Sequence, residues 1–231
     1  MRKLFFLVIF LMVLVMAPMV LADTVSVNRV AGYYSGNGGE FTLFPSFPVP
    51  SDYVPGKTSG IGAGAPSFQS FCVETDEYVN IPGGPYTAVL NNVAIGGGSG
   101  GPSPDPISKG TAWLYLQFQL GMLQGYDYTL GSARVASAAA LQQAIWWLED
   151  EITLTVPTNN YFINLLGFMS NPKEDNKGLY PVAVLNLYDA AGNPKQDQLV
   201  CNPVPEPSTM LLLGSGLIGL AGYGRKKFFK K

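Results

Sequence analysis

The chain has 231 residues and no histidine. That removes the commonest general base, the commonest metal-ligating side chain and every Ser-His or Cys-His relay. Most hydrolase readings fall with it. Cysteine is nearly absent too, with only Cys72 and Cys201. Positive charge is scarce in the body of the chain. Between Asp23 and Val204 seven Lys and Arg stand against fifteen Asp and Glu, a net of −8. Nucleic-acid binding needs a basic face, so no nucleic-acid partner is expected. Nothing in the composition asks for a cofactor, and without histidine no enzyme is expected.

The two ends are unlike the body. Met1-Arg2-Lys3 is basic, Leu4 to Met16 is apolar, and Val20-Leu21-Ala22 offers small or modest residues before the polar Asp23. This is the pattern of a secretory signal peptide over residues 1–22. At the other end, Pro205-Glu206-Pro207 precedes an apolar, Gly-rich run from Met210 to Tyr223, and five cations follow it. The run is shorter than the roughly 20 residues of a spanning helix, and the terminal cations would hold it on the cytoplasmic side. The three parts together resemble the PEP-CTERM sorting signal, over residues 205–231. That resemblance implies a transmembrane sorting segment, processing by an exosortase and transient residence in the inner membrane of a Gram-negative bacterium. It also implies an exported cell-surface or biofilm-matrix product, associated with exopolysaccharide. Residues 23–204 are left as one extracellular domain.

Within that domain, alternation predicts strands at residues 24–30, 41–47 and 67–74, and one or two more over 86–95. Residues 96–106 are a low-complexity Gly/Ser/Pro stretch. The character then changes to helix. Trp113, Leu116, Leu120 and Leu123 fall at helical spacing over 109–123, with Thr111 as the expected cap. A second helix is expected over 132–150 and a short third over 161–169. Strands at 181–188 and 198–201 close the body. Strands first, helices in the middle and strands last argue α+β: a β-rich unit, sandwich or barrel-like, with an inserted helical block. Trp113, Leu116, Leu120, Leu141, Ile145 and Leu148 are its expected helical core.

The second helix carries Leu141-Gln142-Gln143-Ala144-Ile145-Trp146-Trp147. Two amides on an apolar face are costly unless they are hydrogen-bonded, so one is either satisfied there or there to react. Phe71-Cys72-Val73 taken with Leu141-Gln142-Gln143-Ala144-Ile145-Trp146 resembles the internal thioester domain of bacterial surface adhesins. The resemblance implies a covalent bond between the Cys72 thiol and the Gln142 carboxamide, made with loss of ammonia. It also implies a covalent adhesin that acylates an amine on a surface or matrix partner once, without turnover. Phe71, Val73, Ile145 and Trp146 are the expected shell of a dry thioester pocket. Two features depart from the adhesin pattern. Leu141 stands where threonine is common, and 70 residues is a short separation.

Other readings stay open beside it. Two cysteines in an exported chain form a disulfide by default, so a Cys72–Cys201 bridge in a structural or carbohydrate-binding matrix protein is the rival. No metal site is assigned, but two acidic groups offer hard-cation ligands. These are Glu149-Asp150-Glu151 and the trio Glu74, Asp76 and Glu77. The former, at a helix C-terminus, opposes the helix dipole. Glu74, Asp76 and Tyr78 are the bases nearest Cys72 in sequence.

Overall fold

The computed structural model describes residues 23–46, 67–96, 104–152 and 159–201. The expected signal peptide and the sorting tail lie outside these residues. Among the described residues no helix is long and apolar enough to cross a membrane.

The strands are β1 (Thr24–Asn28), β2 (Phe41–Pro45), β3 (Phe68–Ser70), β4 (Gly83–Asn91), β5 (Val93–Ala94), β6 (Asp105–Pro106), β7 (Val182–Tyr188) and β8 (Pro194–Cys201). The helices between β6 and β7 are α1 (Lys109–Gln119), α2 (Ser132–Leu148) and α3 (Tyr161–Leu165), the last running into a 3₁₀ turn at Leu166–Phe168. Six strands form an antiparallel sheet in the order β3-β2-β1-β4-β7-β8. The sheet curls until its edges meet. Just beyond β3, the Val73 N–H donates to the Asp197 carbonyl at 3.2 Å and the Leu199 N–H to the Phe71 carbonyl at 3.0 Å. Cys72 and Gln198 face each other there as an isolated bridge. The expectation of a β-rich unit with inserted helices agrees with this curled antiparallel sheet and its few helices.

Side-chain alternation along each strand separates two cores. Val25, Val27, Phe41, Leu43, Phe68, Cys72 and the odd-numbered Ala183, Leu185 and Leu187 of β7 pack inside the curled sheet. Phe71, Val73, Val182, Val184, Leu199 and Cys201 face outward, against the helices. β7 is apolar on both sides because it is covered on both sides.

Helix α1 turns a different face inward from the one its Trp and Leu spacing suggests. Its buried residues include Ala112, Leu114, Tyr115, Phe118 and Gln119, whereas Trp113 and Leu116 are half-buried and Leu120 is exposed. The reason is polar. The Tyr115 hydroxyl, at 3.1 Å, and the Gln119 amide, at 2.5 Å, both donate to the Gln69 carbonyl on β3. That anchors the helix by a stripe that apolar spacing overlooks. In α2, Leu141, Ile145 and Leu148 are buried as expected.

The α1 cap is Ser108, whose Oγ accepts from the Thr111 N–H at 3.1 Å. Ser108 also resolves the charge conflict at the end of α2. Glu149 reaches from that C-terminus to the N-terminus of α1, where it accepts from Ser108 Oγ at 2.7 Å and from the Ser108 N–H at 3.2 Å. A carboxylate placed against a helix N-terminus is favoured. Burial nonetheless pushes the Glu149 carboxyl up to about 7, against the pull of its donors. A carboxyl raised in the fold binds its proton more tightly there than in the unfolded chain. Its stabilising contribution is complete below about pH 4 and is lost as pH rises through about 7. The urea midpoint should therefore fall between pH 5 and pH 8, and Glu149→Gln should make that fall measurably shallower.

Candidate functional site

Cys72 lies in the closing strand segment, and its side chain enters the curled sheet while its neighbours Phe71 and Val73 turn outward. Gln142 lies in the third turn of α2. Both are buried, Cys72 fully and Gln142 at 1 % exposure. The Cys72 Sγ–H donates to Gln142 Oε1 at 3.4 Å, and Gln142 Nε2 donates to the Cys72 carbonyl at 2.8 Å. A third bond comes from the Gly39 N–H, which donates to Gln142 Oε1 at 2.9 Å. The amide is therefore held in one orientation, with its carbonyl toward the sulfur. Gln143, one residue on, is exposed. The cost of a glutamine on a dry face is offset at Gln142 by three hydrogen bonds.

The Gly39 contact requires two residues without side chains. A Cβ at Gly38 would stand 2.6 Å from Gln142 Cγ, and one at Gly39 would stand 2.3 Å from the Phe71 ring. The loop before β2 can press its backbone against Gln142 only because both are glycine.

Glu40, the next residue, fixes the same loop to the same helix. It is fully buried and forms a two-pronged pair with Arg134 of α2. Arg134 Nε lies 2.7 Å from Glu40 Oε1 and Nη2 lies 2.8 Å from Oε2. The Tyr126 hydroxyl donates to Glu40 Oε1 at 2.5 Å, and the guanidinium lies 4.3 Å from the Tyr33 ring centre. Burial raises the Glu40 carboxyl above its ordinary value, opposed by Arg134 and Tyr126. Burial alone would weaken the Arg134 charge, and Glu40 holds it.

Burial pushes the Cys72 thiol up to about 12. The Trp146 indole N–H and the Arg29 charge oppose that rise, and the Glu151 carboxylate adds to it. The indole nitrogen is buried with no oxygen to bond. Of the four expected shell residues, Trp146 packs on the thiol's side of the sheet, whereas Phe71, Val73 and Ile145 belong to the helix-facing core. Phe71 still closes the site from behind, through its contact with Gly39. Of the three bases nearest in sequence, Glu74 turns to Glu77 and Asp197, and Asp76 and Tyr78 are exposed. The charges that act on the thiol are Arg29 and Glu151.

A cavity of about 350 Å³ reaches this region from solvent, lined in part by Arg29, Phe41, Thr75, Tyr78, Trp146 and Gln196. Trp146 and Phe41 thus separate the cavity from the sheet interior that holds Cys72.

The two cysteines are free and buried. Cys72 faces Gln198 across the seam, and Cys201 lies three residues further along β8, on the opposite face. Three residues of strand span about 10 Å, beyond the roughly 7 Å limit between Cα atoms that a disulfide can bridge.

Comparison with known proteins adds one match. The family described as the PEP-CTERM protein-sorting motif matches residues 203–226. The chain therefore carries the sorting signal of an exosortase substrate, exported and membrane-anchored until it is sorted. No curated protein and no solved structure matches the chain.

Sequence reasoning overlooked Arg29, Gly38, Gly39, Glu40 and Arg134. Gly38-Gly39-Glu40 ahead of an apolar strand is the available signal. Breaking the buried pair with Arg134→Met leaves Glu40 uncompensated, so it should cost about 3–5 kcal/mol of unfolding free energy. The double variant Glu40→Gln with Arg134→Met should recover part of that loss in chemical denaturation.

Proposed function

We propose that this exported surface protein carries an internal thioester between Cys72 and Gln142 and uses it once, to acylate an amine on a surface or matrix partner. The observation that supports this most is the buried contact of 3.4 Å between Cys72 Sγ and Gln142 Oε1, with the amide fixed by Gly39 and the Cys72 backbone. A glutamine that only packs does not need a thiol at its carbonyl.

The chemistry follows from that arrangement. Sulfur adds to Gln142 Cδ, and the charge that develops on Oε1 is received by the Gly39 N–H, in the manner of an oxyanion hole. The C–N bond breaks, and Nε2 leaves as ammonia with its own two hydrogens and the thiol proton. A C–S bond replaces the C–N bond. In use, an amine nitrogen adds to Cδ, the C–S bond breaks, and a proton from the amine returns to sulfur. The products are a new amide at Gln142 and the free Cys72 thiol. The cavity beside Trp146 is the route by which the amine approaches. Acyl transfer without turnover makes this a covalent adhesin and not an enzyme. The amine-bearing partner belongs to the cell surface or to the exopolysaccharide matrix.

The rival structural or carbohydrate-binding reading needs a Cys72–Cys201 disulfide, which requires strand movement from the arrangement above. Gln198 faces Cys72 across the seam and is the control residue.

Intact mass of the exported chain, taken without reductant, separates these readings. A deficit of one ammonia is expected, abolished by Cys72→Ala and by Gln142→Ala and retained in Gln198→Ala. Methylamine should add to the wild type at Gln142 and expose one thiol. A deficit of two hydrogens, reversed by reductant, would overturn the thioester in favour of the disulfide. Trp146→Ala opens the cavity toward the sulfur and should shorten the lifetime of the ammonia-deficient species in water, read by the same mass measurement over time.

A further inference from the structure

Glu74, Glu77 and Asp197 each present a carboxylate oxygen, and these oxygens all lie within 4.8 Å of one another. They come from both sides of the seam that closes the sheet. Glu74 lies two residues after Cys72, and Asp197 lies next to Gln198 in β8.

An acidic cluster alone means little, but two of its members are buried and incompletely satisfied. Glu74 is 1 % exposed, and neither of its carboxylate oxygens accepts a hydrogen bond. Asp197 is fully buried. Its Oδ2 accepts from the Ile95 N–H at 2.7 Å and from Asn186 Nδ2 at 2.9 Å, while Oδ1 has no partner. Glu77 Oε2 accepts from the Asp197 N–H at 3.2 Å. The backbone at Gly96 presses on the same place, where a Cβ would stand 2.8 Å from Glu74 Oε1.

The charges that act on Glu74 come from Glu77, Asp197 and Glu151, all of them acidic. Carboxylates buried together need a proton or a cation among them. The hard cations that an all-oxygen site takes are Ca²⁺ and Mg²⁺.

We infer that Glu74, Glu77 and Asp197 form a Ca²⁺ site that clamps the seam between the Cys72 segment and β8. The donor set is oxygen only, which suits a hard cation over zinc or copper. The ligands sit on a strand extension, a loop and a second strand, an irregular set that Ca²⁺ accepts more readily than the octahedral Mg²⁺ does. Half-buried Glu77 leaves a side open for waters to complete the coordination. The site stands independently of the thioester, because it uses neither Cys72 nor Gln142.

The test is calcium titration of the exported chain in mild detergent after treatment with EDTA, followed by calorimetry and thermal unfolding at pH 7.5. One saturable Ca²⁺ per chain is expected, with a dissociation constant on the order of 10⁻⁵–10⁻³ M and a rise in Tm. Glu74→Gln and Asp197→Asn should each weaken binding at least tenfold and remove the Tm rise. In EDTA these variants should unfold no earlier than the wild type, because each removes a buried carboxyl oxygen that lacks a hydrogen-bond partner. Absence of saturable binding up to about 10 mM Ca²⁺, or binding unchanged in both variants, would overturn the site. Should a variant fail to fold, the wild-type Tm in Ca²⁺ against EDTA decides alone: no rise overturns the proposal. Intact mass, read in parallel, reports the thioester separately.

Discussion

The buried pair between Arg134 and Glu40 is the constraint on which the rest of the site depends. It joins residues 94 positions apart, and it does so beside the one backbone N–H that orients Gln142. Arg134 and Gln142 lie on the same helix, and Glu40 and Gly39 are adjacent in the chain. The helix and the loop are therefore fastened at two points, one ionic and one through an amide. A single fastening would let the loop swing. Two, separated by about two helical turns, fix both its distance and its direction. The cost of desolvating two charges is large, and Tyr126, Tyr128 and Tyr33 supply the hydrogen bonds and ring contacts that make it tolerable. Such a pair contributes geometry more than net stability.

The second constraint is closure of the sheet. Cys72 does not sit within a regular strand. It sits where the extension of β3 meets β8, held by two backbone bonds. Alternation at this seam sends the thiol inward while Phe71 and Val73 turn to the helices. The sulfur is thereby shielded by the sheet in front and reached by Gln142 from the helix above. The acidic trio lies along the same seam, so the closing of the barrel, the placement of the thiol and the carboxylate cluster share one structural origin.

How much of this was legible in the sequence differs by element. The strand-helix-strand order and the two-sided burial of β7 follow from its run of apolar residues, Val-Ala-Val-Leu. By contrast, β8 reads Pro-Lys-Gln-Asp-Gln-Leu-Val-Cys, and only its last four residues suggest a strand. Within its polar half Gln196 and Asp197 are buried, because they find acceptors and donors in loops distant in sequence. Local patterning carries no trace of such partners. The inward face of α1 is hidden from local patterning for the same reason, since Tyr115 and Gln119 bury polar groups against a carbonyl 46 and 50 residues away. Cys72 and Gln142 could be paired in advance only through their motif. Gly38, Gly39, Glu40 and Arg134 had no motif, and a close backbone approach is visible only once the elements are assembled.

The ionisation of Cys72 bears on how a stored acyl group could survive. A thiol pushed up to about 12 by burial is a sluggish nucleophile and an equally sluggish leaving group. In a thioester the second property protects, because attack by water must expel a thiolate into surroundings that stabilise it poorly. The groups that ease that charge are the Trp146 indole N–H and Arg29, and both line the cavity open to solvent. On the proposed thioester reading, a partner docking there would touch the two residues that ease charge on the sulfur. Shielding at rest and release on contact can then come from the same side chains, with no histidine needed to activate either step.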